Sequence, residues 1–272
     1  MQLLYNNRLL QETELRMPLT NRAFQYNDGF FETIIIRQGR LSFWEDHVQR
    51  MQEAAVSLQL SLPPYLTSPA FPEKLLDLAK QQQAMEHGRL KLKFWRSGAG
   101  IYTPETNEAD WLATVKQTTP VPILPLQVGL CRQVRTQYSS LSHFKGPNAP
   151  LYVVASIEKD TRNMNDMLLL DLQNRVAEFI SSNVFWIRDN KVYTPALETG
   201  CVNGVLRRNI MRWCRQNDIV VAEVLADVDH LYHADGVISA NVTGIKRIAS
   251  IEEISLPTQH PLIEKLYKGL FE

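Results

Sequence analysis

Ala177-Glu178-Phe179-Ile180-Ser181-Ser182-Asn183-Val184-Phe185 reads as an apolar strand that a single acid, Glu178, interrupts. Further along, Thr199–Arg208 (TGCVNGVLRR) is a glycine-punctuated loop that leads into a basic helix. Glu178 alternates with Val176 and Ile180, so the acid shares a strand face with two apolar side chains. Such an acid is either buried and paired, or it points to solvent from the polar face of the strand.

The loop before residue 205 has the composition of an anion site. Backbone N–H groups at the start of a helix bind anions, and glycines let the backbone approach closely. The alternative is an ordinary connecting loop with glycine turns. Pyridoxal phosphate (PLP) is one small molecule that needs both an acid beside its ring nitrogen and a phosphate site.

Composition sets the outer bounds. The 272 residues carry 29 Lys and Arg against 29 Asp and Glu, a balance that argues against non-specific nucleic-acid binding. Cys131, Cys201 and Cys214 are odd in number and lack CxxC spacing, so neither disulfides nor a metal site is expected. No apolar run reaches the roughly 20 residues of a membrane span, and the N-terminus lacks a signal-peptide pattern. We expect a cytoplasmic protein without a membrane partner.

Strand and helix patterns occur in both halves of the chain. Residues 29–36 are β-branched and aromatic, which predicts a strand, and apolar spacings of three and four predict a helix over 44–58. Three prolines in Thr118–Pro125 predict an extended connector. We therefore predict an α+β protein with antiparallel sheet in both of two domains, 1–119 and 120–272, rather than one domain with a long loop.

Lys145 is the candidate nucleophile. Phe144 on one side and Gly146-Pro147 on the other can hold it in a partly apolar setting, where desolvation favours the neutral amine. The alternative is a solvated loop lysine. Arg50, with His47 one turn earlier, is either solvated or part of a phosphate site, and Arg96 is either solvated or receives a substrate carboxylate.

A set of motifs in fixed order resembles the class IV aminotransferases, the fold-type IV PLP enzymes. In chain order they are Tyr26–Thr33 (YNDGFFET) with His47 and Arg50, Lys145–Ala155 (KGPNAPLYVVA), Glu178–Phe185 (EFISSNVF), Tyr193–Pro195 (YTP), Gly200–Arg207 (GCVNGVLR) and Ala240–Ile245 (ANVTGI). The resemblance implies a D-amino-acid aminotransferase-like fold of two domains, PLP at the domain interface, and a homodimer whose partner subunit helps to close the site. The C-terminal domain would carry the lysine and the phosphate loops.

The resemblance also assigns roles by position. Lys145 would form the Schiff base and move the α-proton, and Glu178 would keep the pyridine nitrogen protonated. The implied cofactor-binding set is Arg50, Lys145, Glu178, Ser182, Asn183, Gly204, Val205, Leu206, Asn241 and Val242. Leu206 stands where the family usually has threonine, which removes one hydroxyl donor. The walls around Phe31, Arg96 and Tyr102 would select a small-molecule amino substrate.

Three functions remain open at this point. The Ala240–Ile245 loop looks more like that of the 4-amino-4-deoxychorismate lyases, which release pyruvate and give 4-aminobenzoate for folate, than that of the transaminases. The second function is an aminotransferase acting on branched-chain or D-amino acids with a 2-oxo acid acceptor. The third, of another class, is a non-catalytic protein that retains the fold; the presence of both Lys145 and Glu178 argues against it.

Overall fold

The computed structural model of the protein describes residues 1–120 and 124–271. Two compact units divide the chain: Met1–Pro120 with Phe144–Pro147, and Val121–His143 with Asn148–Glu272. The boundary predicted after residue 119 stays a prediction, because part of the proline-rich connector, residues 121–123, lies outside the described residues. The tetrapeptide that contains Lys145 belongs to the first unit, whereas the sequence had assigned this lysine to the C-terminal domain.

The first unit is built on a six-stranded antiparallel sheet. Its strands are β1 (Gln2–Tyr5), β2 (Arg8–Gln11), β3 (Gly29–Arg37), β4 (Arg40–Leu41), β5 (His87–Arg96) and β6 (Ala109–Gln117), in the spatial order β2-β1-β6-β5-β3-β4. Its α-helices are α1 (Arg22–Tyr26), α2 (Trp44–Leu58) and α3 (Ala70–Gln81). The helix predicted over 44–58 therefore has the predicted bounds.

One face of this sheet forms the core of the unit. The fully buried rings of Phe30, Phe94 and Trp111 come from the three adjacent strands β3, β5 and β6. Each such side chain contributes roughly 1.5–3 kcal/mol of burial free energy. Glu32 lies on the same face as Phe30 and bonds to two side chains of α2, so this face is turned toward that helix.

The second unit contains a larger, mixed sheet. Its strands are β7 (Leu126–Leu130), β8 (Asp166–Leu170), β9 (Val176–Phe179), β10 (Asn183–Arg188), β11 (Lys191–Pro195), β12 (Val221–Val224), β13 (Gly236–Asn241), β14 (Gly244–Ile251) and β15 (Ile254–Ser255). They follow the order β12-β11-β10-β13-β14-β7-β8-β9, with β15 beside β14. Because β9 also pairs with β10, six of these strands form a closed ring.

Three strand pairs of this sheet are parallel, namely β7–β8, β7–β14 and β11–β12. The prediction of antiparallel sheet in both halves is thus wrong in part. The reason lies in α4 (Ala149–Thr161), which connects β7 to β8 as a crossover helix, and such a crossover places two strands in parallel. The remaining α-helices are α5 (Val205–Gln216), α6 (Asp229–Tyr232) and α7 (Pro261–Phe271). Over the described ranges, no helix is both long and apolar enough to cross a membrane.

Candidate active site

Glu178 is a buried and paired acid. It lies on β9 opposite Asn183 of β10, and it is only 3% exposed. The Tyr152 hydroxyl donates a hydrogen bond of 2.7 Å to one carboxylate oxygen, and the Val202 N–H donates one of 3.1 Å to the other. The interpretation of Glu178 as a solvent-facing acid is therefore wrong.

The surroundings of Glu178 keep nearby groups neutral. Burial, and then the charge and hydrogen bond of Glu178, raise the pKa of Tyr152 well above its ordinary value, so the phenol remains a donor. Burial, followed by the charge of Glu178, raises the pKa of Cys201 to about 12. Cys201 is therefore a neutral thiol and not a nucleophile. Tyr152 was part of a sequence motif but had no predicted role; its partner lies 26 residues away in the chain.

The loop before α5 is shaped by Asn183. The Asn183 amide donates to the Val202 carbonyl over 2.7 Å, and a Cβ on Gly204 would lie 2.1 Å from the Asn183 side-chain oxygen. Only glycine fits there. Gly204 is the N-cap of α5 and has no side chain with which to cap the first N–H groups of the helix, those of Val205 and Leu206. This cradle suits an anion such as a phosphate.

A second loop follows β13, whose Ala240 lies opposite Asn183 of β10. The Asn241 amide donates to the Ser181 carbonyl, and its oxygen accepts from the Thr243 N–H and hydroxyl. The Ser182 and Ser239 hydroxyls lie 2.7 Å apart. The second unit therefore brings together most of the predicted cofactor set: Glu178, Ser182, Asn183, Gly204, Val205, Leu206, Asn241 and Val242.

Lys145 is fixed through its backbone to the first unit. The Phe31 N–H donates to the Lys145 carbonyl over 2.9 Å, and the Asn27 side-chain amide donates to the Gly146 carbonyl over 2.8 Å. Gly146 has a φ of +148°, and a Cβ there would lie 2.6 Å from the Gly29 carbonyl oxygen. Lys145 is half-buried, so it is not the solvated loop lysine of the alternative interpretation. Asn27 is a positioning residue that the sequence did not reveal.

Arg50 is buried in the first unit and paired with an acid. Its Nε and Nη2 donate to the two oxygens of Glu32 over 2.7 and 2.5 Å, and His47 Nδ1 donates to Glu32 over 2.6 Å. The bidentate pair fixes the orientation of the guanidinium. A role of Arg50 toward a phosphate stays a prediction.

This pair predicts acid sensitivity of the fold. Burial alone would raise the pKa of Glu32, but Arg50 and His47 outweigh it and lower the pKa from 4.5 to about 2. Because the folded-state pKa lies below the unfolded one, the contribution to stability is present above pH 4.5 and is lost as the pH falls toward 2. The size is about 3 kcal/mol.

Denaturant titrations between pH 7 and 3 measure this effect; the pH values are chosen to bracket the titration of a carboxyl group. Wild-type protein is expected to lose stability over this range, and Glu32→Gln to be less stable at pH 7 with a flatter pH dependence. Glu45→Gln changes an exposed acid on α2, the helix that carries His47 and Arg50, and serves as the control. If the free energy of unfolding fell by the same amount in wild type and in Glu32→Gln as the pH was lowered, the prediction would be contradicted.

Arg96 does not offer its guanidinium to a substrate. It is 7% exposed and donates to the Asp28 carboxylate, the Asn107 side chain, and the carbonyls of Leu58 and Gln59. The prediction that it receives a substrate carboxylate is wrong, because its donors are directed to partners inside the first unit. Its role is to fix the end of β5 against the turn at Asp28.

The two other predicted substrate residues are placed differently. The ring of Phe31, on β3, is half-buried, and the Lys91 ammonium lies 4.8 Å from its centroid. Tyr102 is 86% exposed, with its ring 5.6 Å from that of Tyr26. Contact of either residue with a substrate stays a prediction.

One class of enzymes combines the folds of the two units with a buried acid such as Glu178 and two loops such as those before α5 and after β13. The family model of amino-transferase class IV matches residues 29–251, and the chain belongs to this family. Among curated relatives, it is 30% identical over 251 residues to an aminodeoxychorismate lyase of Vibrio harveyi, covering 90% of this chain and 89% of the relative. It is 24% identical over 251 residues to a D-alanine aminotransferase of Bacillus licheniformis, covering 89% and 85%.

Solved structures show the same fold. The branched-chain aminotransferase of Thermoproteus uzoniensis superimposes with a TM-score of 0.89 at 19% identity, covering 99% of this chain and 93% of the other. The 4-amino-4-deoxychorismate lyase of Pseudomonas aeruginosa gives 0.86 at 24%, covering 98% and 97%. The predicted fold class is thereby confirmed. The chain is a PLP-dependent enzyme, as predicted, and not a non-catalytic protein that retains the fold.

Proposed function

We propose that this enzyme eliminates pyruvate from 4-amino-4-deoxychorismate to give 4-aminobenzoate, a step that serves folate synthesis. The observation that carries the proposal is the 30% identity to the Vibrio harveyi lyase over nine-tenths of the chain, against 24% for the Bacillus licheniformis D-alanine aminotransferase. The 28% identity over 265 residues to an aminodeoxychorismate lyase of Bacillus subtilis adds support. So does the Ala240–Ile245 loop, which lacks the serine- and threonine-rich pattern of the transaminases.

Two groups of residues in the second unit fit PLP. The Glu178 carboxylate, which is buried and fixed by the Tyr152 hydroxyl and the Val202 N–H, suits a protonated ring nitrogen. The start of α5, where the N-cap is Gly204, and the turn at Asn241-Val242 suit a phosphate, with Ser182 and Asn183 shaping the loops between them. In the first unit Arg50 would add a cation to the phosphate. When bound, PLP supplies an electron sink for the bonds around the substrate's amino-bearing carbon.

Lys145 would supply the reactive amine and the proton transfers. In the proposed reaction the ring of the substrate loses a proton from its amino-bearing carbon. The ether C–O bond then breaks, and the departing enolate gains a proton to become pyruvate. A single lysine beside that carbon can remove the first proton and return one to the leaving group. The backbone bonds of Lys145 and Gly146 to β3 and Asn27 keep the lysine in one position for both transfers.

The second candidate is an aminotransferase acting on branched-chain or D-amino acids with a 2-oxo acid acceptor. It is favoured by the D-alanine aminotransferase relatives and shares the same cofactor residues. The two reactions differ in the bond that breaks, so they are separated by their products and not by the cofactor site.

A product assay on purified, PLP-loaded enzyme tests the proposal. One reaction contains aminodeoxychorismate and follows 4-aminobenzoate; parallel reactions contain D-alanine or L-valine with 2-oxoglutarate and follow glutamate. We expect 4-aminobenzoate and pyruvate in equal amounts. Glutamate formation without any 4-aminobenzoate would refute the lyase and establish the second candidate.

We also propose that the enzyme works as a cytoplasmic homodimer with two domains in each chain. The proposal follows from the family resemblance and the two compact units. Light scattering of the holoenzyme over a range of concentrations tests the dimer, and a monomer mass throughout would overturn it.

A further inference from the structure

The closed ring of six strands in the second unit has an apolar interior. The core packed inside it contains residues of all six strands, which include Leu168, Val184, Val237 and Ile248. Because side chains alternate between the two faces of a strand, residues two positions away along the chain share the face of these core residues. At one end of the ring the residues at these positions are polar: Asp166, Ser182, Ser239 and Lys246. The apolar interior therefore ends in a polar layer.

A cavity of about 260 Å³ opens at this polar end of the ring. All four polar residues line it, together with the apolar side chains of Leu126 and Ile180 and the Lys159 side chain of α4. Sites for drug-sized ligands have volumes of about 300–1,000 Å³, so this cavity has room for a small metabolite. Polar side chains that face the inside of a closed sheet cost free energy unless they have partners. The polar layer therefore has the character of a ligand site.

The cavity and the candidate cofactor site lie on opposite faces of the same strands. Asn183 is opposite Glu178 on one side and Ala240 on the other, and its amide donates to the loop before α5. Ser182 and Ser239 precede Asn183 and Ala240 by one residue, so they face the inside of the ring, where their hydroxyls lie 2.7 Å apart. The cavity is therefore a second site, which β10 and β13 separate from the start of α5.

Asp166 and Lys246 bring opposite charges to this cavity without touching each other. One Asp166 oxygen accepts from the N–H groups of Met167 and Ile180 over 2.8 and 3.3 Å. Within the described residues, the second oxygen and the Lys246 ammonium have neither a hydrogen bond nor an ion pair. Burial raises the pKa of Asp166 to about 6, against the opposing effect of its N–H donors and of the nearby lysine charges, so the carboxyl is mostly ionised at pH 7. The strand β7 lies between β8 and β14, which places the two backbones about 10 Å apart.

We propose that this cavity binds a small α-amino acid, with the ammonium group of the ligand at Asp166 and its carboxylate at Lys246. Such a zwitterion gives each of the two charges a partner and fills the gap between them, and the two serine hydroxyls can bond to either end of it. A phosphate or a dicarboxylate fits less well, because Asp166 would repel it and the second nearby cation, Lys159, is paired with Asp160 over 2.9 Å. The inference goes beyond the proposed function and is the same for either candidate reaction, because Lys145 belongs to the first unit.

The experiment measures amino-acid binding away from the cofactor. PLP-loaded enzyme is first reduced with borohydride, which fixes the cofactor to its lysine so that an added amino acid cannot take the place of that lysine. Glycine is then titrated by calorimetry into the reduced enzyme. Acetate and methylamine, which each lack one of the two charged groups of glycine, are titrated in parallel. We expect wild type to bind glycine at least about tenfold more tightly than either analogue, as for loss of a charged hydrogen bond.

Asp166→Asn and Lys246→Met each remove one charge from the cavity. Asparagine keeps the side-chain oxygen that accepts from two backbone N–H groups, so the fold should be preserved. We expect Kd for glycine to rise roughly ten- to hundred-fold in both variants, with the cofactor absorption spectrum and the midpoint of thermal unfolding unchanged. The controls are Asp189→Asn and Lys191→Met, which change an exposed acid and an exposed lysine of the same unit. They should bind glycine within about threefold of wild type, well below that loss.

Glycine that does not bind to wild type, or that binds equally well to the cavity variants and the controls, overturns the inference. Acetate that binds as tightly as glycine also overturns it, since the cavity would then be a site for simple anions. Loss of cofactor absorbance together with loss of glycine binding would show that the cavity is part of the cofactor site, and would overturn it as well. Binding that requires both charges of glycine and both charges of the cavity supports the inference, whether the unreduced enzyme forms 4-aminobenzoate or glutamate.

Discussion

Replacing Lys145 by alanine is expected to reduce turnover by roughly 10²- to 10⁴-fold, the range for loss of a positioned proton-transfer group. The physical reason is that the side-chain amine of Lys145 is the group expected to transfer protons to and from the substrate and to form the covalent bond to the cofactor. The Lys145 carbonyl is held by the Phe31 N–H and the Gly146 carbonyl by Asn27, so the alanine variant should keep the loop in place. The measurement is kcat for 4-aminobenzoate formation, together with mass spectrometry after borohydride reduction, which should fix the cofactor to the wild-type peptide alone.

Lys191→Ala is the matched control, because Lys191 is an exposed lysine at the start of β11. It should retain wild-type activity and cofactor attachment. The midpoint temperature of unfolding of the Lys145→Ala protein should lie near that of wild type. This result would show that the loss of activity is not caused by loss of the fold. Cofactor recovered on another lysine, or a Lys145→Ala protein with near-normal kcat, would remove Lys145 from its proposed role.

The elements that the sequence predicted best are those with strong local periodicity. α2 has the predicted bounds because its apolar residues recur at helical spacing over 15 residues. By contrast, α1 spans five residues and is stabilised by the Asn21 cap, which is too short a pattern to detect. β1 pairs with β6, about a hundred residues away, and such non-local pairing leaves little local signal.

For the candidate site, the sequence predicted the key residues but not the partners that position them. The alternation around Glu178 already indicated burial, because the acid shares a face with apolar neighbours. Its donors could not be predicted, since Tyr152 and Val202 approach only when α4 and the loop before α5 fold onto β9. Lys145 was recognised by its motif, but its attachment to the first unit depends on Asn27, whose bond to Gly146 spans 119 residues.

Arg96 shows where residue type misleads. An arginine at a strand end before a glycine-rich loop is compatible with a substrate carboxylate or with internal partners. The choice depends on carbonyls at the end of α2 and on Asn107, all brought in by tertiary packing.

Glu178→Gln is expected to lower kcat by roughly 10²- to 10³-fold, the range for loss of one preorganised electrostatic partner. The amide has nearly the same shape, and Tyr152 can still donate to its oxygen, but it lacks the negative charge that would hold a proton on the ring nitrogen. The amide N–H₂ also faces the Val202 N–H, a donor against a donor, which costs about 1–3 kcal/mol of stability. The measurements are kcat, the absorption spectrum of the bound cofactor and the midpoint of thermal unfolding.

Tyr152→Phe separates the two contributions, because it removes the hydrogen bond to Glu178 and leaves the carboxylate charge. We expect a smaller loss of kcat, about tenfold or less, with the cofactor spectrum close to that of wild type. Glu178→Asp keeps the charge but withdraws it by one methylene, so its kcat should lie between those of wild type and Glu178→Gln. A Glu178→Gln enzyme with a wild-type spectrum and kcat within threefold would show that the buried carboxylate serves the loop at Val202 and not the cofactor.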